Sequence, residues 1–191
     1  TTAINNKTLL FILFVTLVLF VLSIAAVGLH RFYGYQQIFI DPAQADTNSY
    51  SDFDNLGQSQ VLHINDQKHG FNCTLNSGVD FPFCLYSIRF GHAENGIDLS
   101  DVTSIRLWAE FDSPNNNPLR ITLEQFDPNY SKLANPNSYK IHQKELILKS
   151  DEQSTQLELS QFSVPIWWLK TEIGKLTNAN ASLDNIIKIQ L

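Results

Sequence analysis

From Leu9 to Leu29 the chain reads LLFILFVTLVLFVLSIAAVGL, twenty-one consecutive residues without a charge. As a helix rising about 1.5 Å per residue, such a run matches the hydrocarbon thickness of a bilayer. A shorter apolar run followed by small residues, as in Ser23-Ile24-Ala25, is also the pattern of a cleaved secretion signal. The length of the run, its single upstream charge at Lys7 and the lack of any charge before His30-Arg31 favour an uncleaved anchor. Lys7 and Arg31 nearly balance in the positive-inside count, so charge does not orient the segment.

The side of the membrane is argued from cysteine. Only Cys73 and Cys84 occur, within GFNCTLNSGVDFPFC, where two apolar runs flank a turn rich in Asn, Ser, Gly and Asp. That pattern predicts a hairpin with the two thiols at bridging distance on paired strands. Closing so short a loop stabilises a fold by roughly 3 kcal/mol in the chain-entropy model, and disulfides persist outside the cytosol. The alternative is a pair of buried free thiols acting as small hydrophobes. With a disulfide, the main domain is expected in the periplasm, and the chain in the inner (cytoplasmic) membrane as a single span in contact with lipid through Leu9 to Leu29. The expected division is a cytoplasmic tail over 1–8, the transmembrane helix over 9–29, a stalk and connecting loop over 30–59, and a β domain over 60–191.

The 191 residues carry a net charge of -6, which repels a phosphate backbone, so no nucleic-acid partner is expected. The acidic residues are dispersed and read as a solvated surface. Beyond the apolar run, Asn-x-Ser/Thr triplets stand at Asn72, Asn129 and Asn180, about as many as composition alone yields, and nothing is inferred from them.

Beyond the stalk, short alternating runs separated by turn-formers predict strands over 60–64, 71–75, 83–90, 104–111, 119–126, 139–148, 155–159 and 186–191. About eight such strands make an all-β sandwich or barrel. One helix is predicted to open at Val164-Pro165 and stop at Gly174. In the 104–111 run, Ile105, Leu107, Ala109 and Phe111 share one face while Arg106, Trp108 and Glu110 share the other. In the 119–126 run, Leu119, Ile121 and Leu123 oppose Arg120, Thr122, Glu124 and Phe126.

If the polar faces of these two strands are neighbours, Trp108 and Phe126 form an aromatic platform among Arg106, Arg120, Glu110 and Glu124. Flat rings cover apolar sugar faces, and Arg and Glu pair with hydroxyls or carboxylates. The plainer reading is a solvated face with cross-strand Arg–Glu pairs. The loop from Phe126 to Lys140, ordered by its Asp-Pro and Asn-Pro pairs, either rims a pocket with Tyr130, Asn137 and Lys140 or is a crossover whose polar groups satisfy backbone. Adjacent helical residues diverge by about 100°, so Trp167 and Trp168 cannot share an environment: one packs inward, the other lies at a rim, and Trp168 is included among the candidate ligand-stacking residues.

Catalytic residues are not assigned. The chain has no Gly-x-Ser-x-Gly elbow, His-Glu-x-x-His, phosphate-cradling loop or Cys–His pair, though abundant carboxylates leave a hydrolase with an unmarked acid pair as a further class. His63, His69, His92 and His142 are isolated and suit surface or hydrogen-bonded roles. Asp52 and Asp54 are oxygen ligands of the type calcium takes, but no fixed loop pattern accompanies them; no metal or cofactor is expected.

The runs CLYSIRFG, GIDLSDVTSIRLWAEF, LRITLEQFDPNYS, NPNSYKIHQKEL, LELSQFSVPIWWL and LDNIIKIQL, in that order from about Cys73 onward, resemble the periplasmic sensor region of certain membrane-bound bacterial GGDEF-type diguanylate cyclases. The most specific piece is FSVPIWWL, Phe162 to Leu169. The resemblance implies a jelly-roll β-sandwich similar to galactose-binding and carbohydrate-binding domains, following a transmembrane helix. It further implies a signalling receptor that usually works as a dimer, sensing in the periplasm and relaying to a cytoplasmic cyclase. No Gly-Gly-Asp-Glu-Phe and no second apolar span occur in these residues, so the chain is expected to be a non-enzymatic fragment of such a receptor. The expected partner is a small ligand, a sugar or polar metabolite, or a periplasmic protein; the alternative is a membrane-tethered carbohydrate-binding module.

Overall fold

The computed structural model describes residues 6–33, 38–65, 70–91, 94–108, 118–147, 154–177 and 182–191. The chain divides into two units, Thr1–Phe39 and Ile40–Leu191. Among its described residues the first holds one helix, α1 (Asn6–Tyr33), whose stretch Asn6–Leu29 has a mean hydropathy of 3.1 and is unburied. It is therefore a candidate membrane span. Within the apolar run Leu9 to Leu29 the two hydroxyls are satisfied internally, Thr16 donating to the Ile12 carbonyl and Ser23 to that of Leu19, each at 2.8 Å, as a membrane span would require.

The second unit is mostly β. Its described strands are β1 (Asp46–Ser51), β2 (Gln60–Asn65), β3 (Gly70–Thr74), β4 (Cys84–Arg89), β5 (Ser104–Trp108), β6 (Leu119–Gln125), β7 (Lys140–Leu146), β8 (Ser154–Glu158) and β9 (Ile186–Gln190). All eight expected strands are present, and β1 is an addition. A five-stranded antiparallel sheet runs β1-β4-β9-β6-β7, beside two-stranded pairs β2-β3 and β5-β8. Residues 109–117, including Ala109, Glu110 and Phe111 of the expected fifth run, lie outside the described residues.

The core lies on one face of the five-stranded sheet. Alternation sends Tyr86 and Ile88 of β4, Ile121 and Leu123 of β6, and Ile189 of β9 to that face, where they meet Leu157 of β8, with Ile105 and Leu107 of β5 packed against them. The β5-β8 pair therefore belongs to the opposite wall of the same core. Arg106 and Trp108 face away from it, and Trp108 is exposed.

Four sequence-based expectations are corrected. The region taken as stalk supplies β1, the edge strand paired to β4 over its whole length, and the β unit begins at Ile40. The alternation in DTNSYS is almost entirely polar, which is why it reads as loop. Cys73 and Cys84 are bonded, with Cα atoms 6.1 Å apart, but not as a hairpin. Both edges of β4 are taken by β1 and β9, so β3 pairs with β2 and the bridge ties one sheet to another. A disulfide requires only that proximity, not a ladder.

The single expected helix is two short ones, α2 (Ile166–Leu169) and α3 (Glu172–Leu176). Thr171 breaks it: its hydroxyl donates to the Trp168 carbonyl at 2.7 Å and accepts from the Gly174 N–H at 3.0 Å, capping α3. Gly174 is thus not a terminator but a close-packing position, since a Cβ there would collide with the Trp168 carbonyl. Finally, β5 and β6 are not in one sheet, so no platform joins Trp108 to Phe126. Phe126 is buried with Tyr139 and Ile187.

Candidate functional site

The face of the five-stranded sheet turned from the core is built of polar rungs. Register aligns Asp46, Arg89, Lys188 and Glu124 across β1, β4, β9 and β6. The adjacent same-face row is Asn48, Ser87, Gln190, Thr122 and Gln143 across all five strands. Between them on the other face runs Thr47, Ile88, Ile189, Leu123 and His142, which is the reason the polar rows hold together: period-2 alternation in neighbouring, matched strands must sort side chains this way.

A cavity of about 240 Å³ opens on this polar face, lined by Asp46, Thr47, Asn48, Tyr50, Ser87, Arg89 and Lys188. Ser87, Thr122, Glu124 and Gln190 are buried although they face away from the core. Burying such groups is costly without partners. Lys188 Nζ lies 2.7 Å from Glu124 Oε2, both side chains nearly enclosed, while Arg89 Nε stands 3.6 Å from an exposed Asp46 carboxylate. Ser87 donates to the Asn48 carbonyl at 3.2 Å, Gln143 to the Thr122 hydroxyl at 3.4 Å, and Gln190 to the Tyr50 hydroxyl at 3.5 Å. Burial pushes the Glu124 carboxyl above its usual range, opposed by the cations of Lys188 and Arg89. The Tyr50 phenol is likewise raised, by burial first and then by the Glu124 charge, against the Gln190 hydrogen bond.

The sequence-derived candidates are dispersed. Glu124 sits in the charged row, and Arg120 lies farther along the same face, bound to Glu145 at 2.6 Å in an exposed ion pair. Trp108 and Arg106 are on the β5-β8 pair, the guanidinium 5.9 Å from the indole centroid and donating to Gln156 at 3.2 Å. Tyr130, Asn137 and Lys140 belong to the β6–β7 connection and its exit. Asn137 is exposed, Tyr130 is half-buried with its ring 6.4 Å from that of Trp168, and Lys140 is buried. Burial, then Asp127 and Asp184, pushes the Tyr130 phenol up to about 12; burial lowers the Lys140 ammonium despite the same two carboxylates. Trp168 is the enclosed indole, its N–H donating to the Tyr139 carbonyl at 2.7 Å, and Trp167 is exposed.

His142 is fully buried, its Nε2 3.1 Å from Gln125 Oε1. The Gln125 amide donates to Ser182 and Asp184, so its oxygen accepts and the Nε2–H tautomer is the one that fits. The His63 side chain and residues His69 and His92 lie outside the described residues, as does Asn180. Both Asp52 oxygens already accept hydrogen bonds, from Ser59 N–H at 2.8 Å, Ser59 hydroxyl at 2.8 Å and Phe83 N–H at 3.1 Å. Burial favours the neutral acid, but these donors outweigh it and hold the carboxyl below its usual range. Among the described residues no group of three or more His, Cys, Asp or Glu side chains could hold a metal ion.

Sequence reasoning missed Asp46, Asn48, Tyr50, Ser87, Arg89, Lys188 and Gln190. The available signal was alternation: Ile187-Lys188-Ile189-Gln190 places both polar residues on one side, and Ser87-Ile88-Arg89 repeats it. The arrangement lines an open cavity with hydrogen-bond donors and acceptors, two cations among them. The chain matches no protein-family model, no curated protein and no solved structure at significant similarity.

Proposed function

We propose that the protein is a membrane-anchored ligand-binding module of a signalling receptor. In this reading, α1 holds the chain in the inner membrane and the β unit stands in the periplasm as a jelly-roll sensor similar to galactose-binding domains, belonging to a diguanylate-cyclase type of receptor. The observation that carries it is the polar cavity on the outer face of the five-stranded sheet, where Arg89 and Lys188 stand beside hydroxyl and amide groups. The Cys73–Cys84 bridge supports an oxidising compartment.

The test is thermal unfolding of the full chain in detergent micelles against a panel of sugars and polar metabolites. Asn48 is exposed at the cavity wall, so Asn48→Trp fills the space while tolerating the larger side chain. Any stabilising compound is expected to lose its effect in that variant. Stabilisation that survives Asn48→Trp removes the cavity as the binding site. The exposed Trp108, with Arg106 over its ring, favours a second reading as a carbohydrate-binding module. In the same panel, sensitivity to Trp108→Ala but not Asn48→Trp selects it.

A further inference from the structure

Arg89 and Lys188 are directly opposite one another on β4 and β9. Like charges so placed destabilise a ladder unless negative groups attend them. The flanking carboxylates do so unequally. Glu124 holds Lys188 in a close and nearly enclosed pair, whereas Asp46 is 3.6 Å from Arg89 with most of its side chain in solvent. An ammonium carries three N–H donors and a guanidinium five, so one carboxylate oxygen on each leaves donors over. Both cations line the cavity together with the Asp46 carboxylate, and Thr47, Asn48, Tyr50 and Ser87 form the rest of its lining.

Taking the cavity as the ligand site, as argued above, we propose that it binds a small organic monoanion, a carboxylate on a polyhydroxylated body about the size of one sugar ring. The carboxylate sits between Arg89 and Lys188, and the hydroxyls meet Asn48, Ser87 and Tyr50. A carboxylate suits the pair because a planar two-oxygen acceptor matches the guanidinium fork while its second oxygen reaches an ammonium. A dianion such as phosphate suits it less. The row already carries Asp46 and Glu124 at its two ends, and a second negative charge would be repelled by both. A neutral polyol, conversely, leaves the opposed cations as they are. The cavity volume of about 240 Å³ accommodates one such ring.

Isothermal titration of the full chain in detergent micelles tests this with matched pairs: D-galacturonate against D-galactose, D-glucuronate against D-glucose, and D-gluconate against D-sorbitol. At low ionic strength the acid of a pair is expected to bind about tenfold or more tightly than its neutral partner, with the margin shrinking in salt. Arg89 lies at the exposed side of the cavity, so Arg89→Gln folds; it should weaken the acid more than its neutral partner and so erase the margin between them. Equal affinity for acid and neutral partners, with Arg89→Gln affecting neither, overturns the anion assignment while leaving the cavity a polar-ligand site. Binding of no member of any pair, by the unaltered chain as by Asn48→Trp, overturns the cavity reading and the anion with it.

Discussion

Replacing Lys188 by Met strands the Glu124 carboxylate in a place that excludes water. In the intact protein the pair is 2.7 Å apart with side-chain exposures of 15% and 9%. Removing one partner of such a pair costs about 3 kcal/mol, the lower end of the range for buried pairs because both groups retain some solvent. For a unit of 150 to 200 residues that corresponds to a fall in melting temperature of roughly 6–12 °C. The loss must also depend on pH. Glu124 is already raised above its ordinary value of 4.5 by burial, and Lys188 is the principal opposing influence, so its removal raises the folded-state value further. A carboxyl raised on folding stabilises below its unfolded value and loses that contribution as pH climbs through the folded value. The defect of Lys188→Met is therefore smallest near pH 4.5 and largest near pH 8. Glu124→Gln in the same chain removes the stranded charge and recovers most of the loss. The assay is urea unfolding of the full chain in micelles, followed by indole fluorescence with buried Trp168 as reporter. A loss under about 0.5 kcal/mol, a loss equal at both pH values, or a double variant as unstable as the single would refute the argument.

Two further outcomes follow from buried groups away from the cavity. Burial, and after it the neighbouring Lys140, disfavour the His142 cation and push its pKa from an ordinary 6.5 down to about 4. A base depressed on folding lends stability that is complete above pH 6.5 and disappears between 6.5 and about 4, here on the order of 3 kcal/mol at most. Unfolding free energy measured across that window should fall in the unaltered chain and flatten in His142→Gln; an unchanged slope contradicts the assignment. Trp168→Ala should cost about 3–5 kcal/mol by emptying an enclosed site and orphaning the Tyr139 carbonyl, whereas exposed Trp167→Ala stays within about 0.5 kcal/mol; equal losses on denaturant titration would overturn the distinction.

The apolar N-terminal helix, the strand runs and the chemistry of the cysteines were legible because each depends on residues close in sequence. A 21-residue apolar run has one physical solution in a helix, and Leu119-Arg120-Ile121-Thr122-Leu123 can satisfy a one-sided core only as a strand. Trp167 and Trp168 were separable for the same reason, since helical geometry sends neighbours apart. The break at Thr171 was less visible, because it turns on a threonine side chain bonding backed by a glycine contact rather than on any change in pattern.

Alternation states which side of its strand a residue occupies but not which strand lies alongside. Lys188 and Arg89 are 99 positions apart, and only the order β1-β4-β9-β6-β7 sets them opposite each other with a carboxylate at either end. Placing β5 with β8, outside that sheet, separates Trp108 from Phe126 although they lie on successive strands. Local steric and hydrophobic rules act over a few residues and write themselves into composition, so they determined the apolar helix, the strands and the core faces. The pairing of strands minimises the free energy of the whole chain at once, and it alone decided where the charged and polar rows meet to form a cavity.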